Sequence, residues 1–190
     1  MKKKFSKLKI KNINKIKMNN MTKFSLHNIL IWITAFSIME FPMRYFYLNI
    51  VGGDNVEKWY NFKDFNIYNV IAGDLFYVLV GIIISYRIYN YLFKDEDNIL
   101  KFFAIFLVVQ IVGDLTFYTI VSNVPSQYDN KWTKFFKNYG KTSGLYAVVG
   151  DSIYIAIWTL VAYLIRNLAL DVLLAIVFTF LFIVSAIAES

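Results

Sequence analysis

Residues 99–121 read ILKFFAIFLVVQIVGDLTFYTIV. Within this run only Lys101, close to its start, and Asp114, close to its end, carry charge. A helix rising ~1.5 Å per residue over such a run is about 34 Å long, enough to cross a hydrocarbon core of about 30 Å. The apolar residues follow no period of two, and a bilayer admits only helices or closed barrels, because backbone polar groups must be satisfied internally. The run reads as a membrane-spanning helix that carries a carboxyl group into a place where water is scarce.

Four further windows share this character: Leu26–Leu48, Ile67–Tyr89, Gly144–Ile165 and Leu168–Ala188. Together the windows predict an all-α fold, a polytopic helical membrane bundle of about five transmembrane helices. The connections are an aqueous loop after span one, an acidic turn at Lys94-Asp95-Glu96-Asp97, a longer loop from Ser122 to Ser143, and the short link Arg166-Asn167. No Pro-rich or Gly/Ser-rich linker divides the chain. Residues 1–23 read as a basic tail and 24–190 as a single membrane domain.

Composition narrows the chemistry. The 190 residues are 58% hydrophobic with a mean hydropathy of +0.49, which excludes a disordered chain and argues against a water-soluble domain. The absence of cysteine excludes disulfides, thiol catalysis, iron–sulfur clusters and cysteine-ligated zinc. A single histidine, His27, excludes a site that needs two imidazoles from one chain. No catalytic set, metal site or cofactor motif is expected, and the chain does not read as an enzyme.

Charge is concentrated at the start. Nine lysines and no acid precede Glu40, so the formal net charge of +7 is a basic tail on a slightly acidic remainder. Directly ahead of an apolar span, such a tail reads as cytoplasmic and lipid-facing, with an anionic lipid as its expected partner and no nucleic acid expected. Tail residues Phe5, Leu8, Ile13 and Ile16 give it a weak amphipathic helical face. Arg87, Lys94, Lys101 and Arg166 fall on the tail's side of the membrane. The opposite side holds Arg44, Lys58, Lys63 and the lysines of the longer loop, fewer in all. The expected orientation is amino terminus cytoplasmic and carboxyl terminus outside. Which membrane, and whether the chain forms a homo-oligomer, are open.

The longer loop holds Trp132, Phe135, Phe136 and Tyr139, spaced i, i+3, i+4 and i+7, alternating with Lys131, Lys134, Lys137 and Lys141. This pattern predicts an amphipathic helix near 129–141 lying in the headgroup region, with its rings inserted in lipid and its ammonium groups snorkelling outward.

Four carboxylates fall inside the proposed spans: Glu40, Asp74, Asp114 and Asp151. Three share a local pattern, IAGDLFY at 71–77, IVGDLTF at 111–117 and VVGDSIY at 148–154, each with Gly-Asp followed by an aromatic residue three positions on. Counted along antiparallel spans, all four acids lie ~10–12 Å below one face of the membrane. A carboxylate facing lipid there costs several kcal/mol, so the acids are expected to turn inward and either pair or bind a proton. Arg44 stands one turn after Glu40, and Gln110 one turn before Asp114. Tyr77 and Tyr154 are placed to offer hydroxyl hydrogen bonds.

Asp74, Asp114 and Asp151, flanked by the Glu40–Arg44 pair, point to a proton- or cation-linked channel or transporter. A structural or assembly protein without transport is the alternative. Gly-Asp within a span is shared with intramembrane aspartyl proteases, but their Gly-x-Gly-Asp pattern is missing, since Ile71, Ile111 and Val148 stand at its first position. The stretch from Trp132 to Tyr154, with FFKNYGK at 135–141 and VGDSIY at 149–154, resembles uncharacterised multi-pass membrane proteins encoded by large DNA viruses. That resemblance implies a viral or host-membrane setting and no particular activity.

Overall fold

Serine or asparagine starts four of the helices, because its side-chain oxygen satisfies backbone N–H groups that lack an intrahelical partner. The computed structural model describes residues 19–60, 65–94 and 96–189. Helix α1 (Leu26–Phe46) begins at Ser25, whose hydroxyl accepts the Asn28 N–H at 3.1 Å. Asn66 opens α3 (Ile67–Phe93), and Asn98 opens α4 (Ile99–Ser122) by accepting the N–H groups of Leu100 and Lys101. A reciprocal capping box between Asn130 and Thr133 opens α5 (Lys131–Ser143). The remaining helices are α2 (Asp54–Tyr60), α6 (Leu145–Ile165) and α7 (Leu170–Ala188). Helix α1 runs through Pro42 and is prolonged by a π-helical turn, Tyr47–Val51. Two glycines with positive φ, Gly52 and Gly53, then turn the chain into α2.

Among the described residues, five helices are long and apolar enough to cross a membrane: Leu26–Val51, Ile67–Phe93, Ile99–Ser122, Leu145–Ile165 and Leu170–Ala188. The chain is thus an all-α, multi-pass membrane protein, and its spans start and stop within a few residues of the sequence windows. Helix α1 packs against α3, α6 and α7, while α4 bridges α3 and α6. The four spans that carry an intramembrane acid, α1, α3, α4 and α6, therefore enclose the interior. Helix α7, with no acid between Asp171 and Glu189, lies outside that ring against α1 and α3.

The two ends of the bundle are built differently. At the end where the chain enters α1, the interior is filled by rings: Trp32 lies 6.0 Å from Trp158 and 5.8 Å from Phe106, and Tyr86 lies 4.8 Å from Phe102. Their polar atoms are matched, since Trp158 Nε1 donates to the Trp32 carbonyl and Trp32 Nε1 donates to the Tyr86 hydroxyl. Tyr86 in turn donates to the Met21 carbonyl at 2.9 Å. Asn28, fully buried, gathers the Asn20 and Lys23 carbonyls and the Asn19 side chain, and the Thr22 hydroxyl reaches the Glu96 carbonyl. Residues 19–23, which the sequence assigns to the tail, are consequently part of the bundle. The reason is that Met21 and Thr22 find buried partners there. The lysine-rich run 1–18 with its expected amphipathic face, and Lys63 and Asp95 of the loops, lie outside the described residues.

At the opposite end, α2 and α5 meet across the bundle and form a cap. Trp59 of α2 stacks on Phe135 at 5.2 Å and meets Trp132 and Phe136 edge-on, and Phe65 sits 4.4 Å from Trp132. Asn55 hydrogen-bonds Thr142, and Asn138 donates to Asn55 at 3.2 Å. This corrects two expectations. The segment after span one is not simply an aqueous loop, because Val56, Trp59 and Tyr60 form one face of a short helix. The rings of α5 are not inserted in lipid either: Phe135 is buried against Trp59, Phe65 and Val70, and Phe136 meets Phe117 at 4.9 Å. The helix itself stands where the sequence placed it. Protein covers its apolar face because Trp59 of α2 and Phe65, just ahead of α3, supply matching rings.

Candidate functional site: carboxylates beneath an aromatic cap

The four intramembrane acids come from four different spans and lie directly under the cap. Glu40 is within electrostatic range of Asp74, Asp74 of Asp151, and Asp151 of Asp114, so they form a chain across the ring of helices. The shared depth counted along the sequence fits this convergence.

Each of three acids accepts a hydrogen bond from another element. Tyr154 on α6 donates its hydroxyl to Glu40 Oε2 on α1 at 2.8 Å. Tyr77 on α3 donates to Asp114 Oδ1 on α4 at 2.9 Å, and Gln110, one turn before, donates to the same oxygen at 2.7 Å. Trp59 Nε1 in the cap donates to Asp74 Oδ2 at 3.2 Å. The two tyrosines were expected to supply hydroxyl groups, and they do so across helices rather than to the aspartate one turn earlier on their own helix. A helix places i and i+3 side by side on its surface, and the hydroxyl at the end of a tyrosine reaches beyond that surface to the next helix.

The Gly-Asp pairs have a packing meaning. A Cβ on Gly113 would stand 2.8 Å from the Tyr77 hydroxyl, so the absence of a side chain there lets Tyr77 reach Asp114. Gly150 has the Tyr47 hydroxyl above it, donating to the Gly150 carbonyl at 3.0 Å. Gly73 faces open space, so its recurrence has no packing role in the monomer. Elsewhere on α3, Gly81 approaches Phe106 and Gln110, and Ser85 donates to the Gly81 carbonyl at 2.7 Å.

Arg44 lies one turn beyond Glu40 and within electrostatic range of it, as the i, i+4 spacing predicts. Tyr60 was not singled out in the sequence, and Tyr139 only as a ring of the amphipathic helix, yet both border the acids from the cap. Burial first, and then the negative charge of Asp74, holds the Tyr60 hydroxyl well above its ordinary range. Burial first, and then Asp151, raises Tyr139. Both phenols therefore stay protonated and present donors rather than added negative charge. The signal for α2 was present as apolar residues at 56, 59 and 60, an i, i+3, i+4 set too short to register beside spans of twenty residues.

Among the described residues, two carboxylate oxygens are buried without a hydrogen-bond partner, Glu40 Oε1 and Asp114 Oδ2. Among the described residues, no three acids or histidines gather around a common point that could hold a metal ion. Two cavities, of about 370 Å³ between α1 and α7 and about 360 Å³ beside α5, are lined by none of the four acids. The acids are thus arranged as separate acceptors, each with its own donor or neighbouring charge, between a solid aromatic half below and a capped end above. Comparison with known protein families, curated proteins and solved structures finds no match, and so weighs neither for nor against the viral resemblance.

Proposed function

We propose that this chain is a proton-linked membrane channel or transporter in a closed conformation, with Glu40, Asp74, Asp151 and Asp114 as the proton-carrying groups. The observation that carries this reading is the convergence of one acid from each of four spans into a single electrostatically linked chain. An ionised carboxylate is costly to keep at low dielectric, so a row of buried acids suits a role in which each takes up and releases a proton. The unpartnered oxygens Glu40 Oε1 and Asp114 Oδ2 are sites where a shared proton can reside. Separate hydrogen-bonded acceptors suit proton transfer better than a metal ion, which needs several oxygens converging on one centre. Opening requires the α2–α5 cap to lift, and the Trp59–Asp74 bond ties the cap to the charge state of the chain.

Reconstituted vesicles loaded with a pH-sensitive dye test the reading. Wild-type protein should acidify the lumen when a potassium diffusion potential drives protons inward. Asp74→Asn, Asp114→Asn and Asp151→Asn should each abolish that signal while inserting normally, because asparagine keeps size and hydrogen bonding but exchanges no proton. Wild-type flux equal to protein-free vesicles refutes the reading. One observation favours the alternative of an assembly protein: both ends of the bundle are sealed by packed rings. On that reading the asparagine variants are silent and Asp→Leu replacements disturb folding and association.

A further inference from the structure

The face of α4 opposite its buried residues changes character along its length. Val108, Val112 and Leu115 are each about half exposed or more, at i, i+4 and i+7. The same stripe continues through Tyr118 to Ser122 at the end of the helix. Where the apolar stripe stops, a cavity of about 360 Å³ opens between the end of α4, the loop that follows it and α5. That volume lies within the ~300–1,000 Å³ typical of small-ligand sites.

Gly140 sets how α5 meets the cavity wall, since a Cβ there would overlap the ring of Tyr118, and its absence lets α5 lie directly on that ring. Lys137 is fixed on one wall: its Nζ donates to the Val124 carbonyl and to Asp129 Oδ1, both at 2.6 Å. Asp129 thereby balances the charge of Lys137. Lys141, one turn further along α5, lines the same cavity and is exposed, and among the described residues no carboxylate pairs with it. The cavity therefore has a net positive charge, with the hydroxyl groups of Tyr118, Ser122 and Ser126 as additional donors.

We propose that this cavity seats the phosphate of a phospholipid headgroup, with an acyl chain lying along Val108, Val112 and Leu115. A phosphate complements the unbalanced ammonium of Lys141 and the hydroxyl donors around it. The apolar stripe decides between a lipid and a free anion. It leads from the level of the hydrocarbon core past Thr119, whose hydroxyl donates to the Leu115 carbonyl, to Tyr118 at the cavity, and a soluble phosphate would leave it unused. Tyrosine at the junction suits the boundary between lipid tails and headgroups. None of the four intramembrane acids lines this cavity.

Native mass spectrometry of the full chain in detergent micelles, titrated with dioleoylphosphatidylglycerol, tests the site. Lys141→Gln should weaken lipid binding about fivefold, the usual worth of one basic residue at a membrane surface. Lys134→Gln removes the same charge from the same helix outside the cavity and should change binding by less than about twofold. Leu115→Ser should weaken the lipid while leaving any retention of inorganic phosphate unchanged. Equal losses in Lys141→Gln and Lys134→Gln would overturn the proposal in favour of diffuse attraction. Inorganic phosphate binding together with an unaffected Leu115→Ser lipid titration would overturn it in favour of a soluble-anion pocket.

Discussion

Replacing Tyr154 with phenylalanine isolates the contact that holds Glu40. The acid is only 2% exposed, its Oε2 accepts the Tyr154 hydroxyl at 2.8 Å, and its Oε1 has no hydrogen-bond partner. Tyr154→Phe deletes the hydroxyl and leaves the ring against Trp158, 6.2 Å away, so packing is preserved. Loss of a hydrogen bond to an ionised buried group costs about 1.5–3 kcal/mol, and to a neutral one about 0.5–1.5 kcal/mol. Arg44, in range of Glu40, offsets part of the loss, which places the expected cost for an ionised Glu40 at about 2 kcal/mol. In a Glu40→Gln background the same tyrosine replacement should cost about 1 kcal/mol, because a neutral amide oxygen accepts more weakly. The coupling energy of the cycle is then about 1 kcal/mol. Equilibrium unfolding in mixed micelles titrated with sodium dodecyl sulfate measures all four corners. A cost for Tyr154→Phe below about 0.5 kcal/mol refutes the reasoning, since it would mean that Glu40 does not depend on this donor, whereas the same cost of about 1 kcal/mol in both backgrounds would mean that Glu40 carries a proton.

Three further outcomes follow from the packing of the bundle. Gly113→Ala should destabilise by about 1 kcal/mol in that unfolding assay, because its methyl group displaces the Tyr77 hydroxyl from Asp114 by more than the helix gains. Gly73→Ala, with open space around it, should instead stabilise by about 0.5–1 kcal/mol. Trp32→Phe removes the indole donor to Tyr86 and so weakens the support of the Met21 carbonyl, and amide hydrogen exchange across residues 19–25 should accelerate while α7 is unchanged.

Much of this architecture could be read from the chain alone, for a physical reason. A bilayer demands about twenty consecutive apolar residues for each crossing and forbids unsatisfied backbone, so runs such as 99–121 announce both the type of element and its length. The same constraint makes Glu40, Asp74, Asp114 and Asp151 conspicuous, and counting 1.5 Å per residue from either face suffices to put them at one depth. Local spacing was also enough for Gln110 beside Asp114 and for Arg44 beyond Glu40. The partners across helices could not be read this way. Tyr77 serves Asp114, Tyr154 serves Glu40 and Trp59 serves Asp74 because of how the spans are rotated and which are neighbours. Nothing in a helix's own periodicity encodes its azimuth relative to a helix far away in sequence. The cap is the clearest case. The rings of α5 could face lipid or protein with equal satisfaction of their hydrophobic spacing, and only the arrival of Trp59 and Phe65 from a segment some seventy residues earlier turned them toward protein.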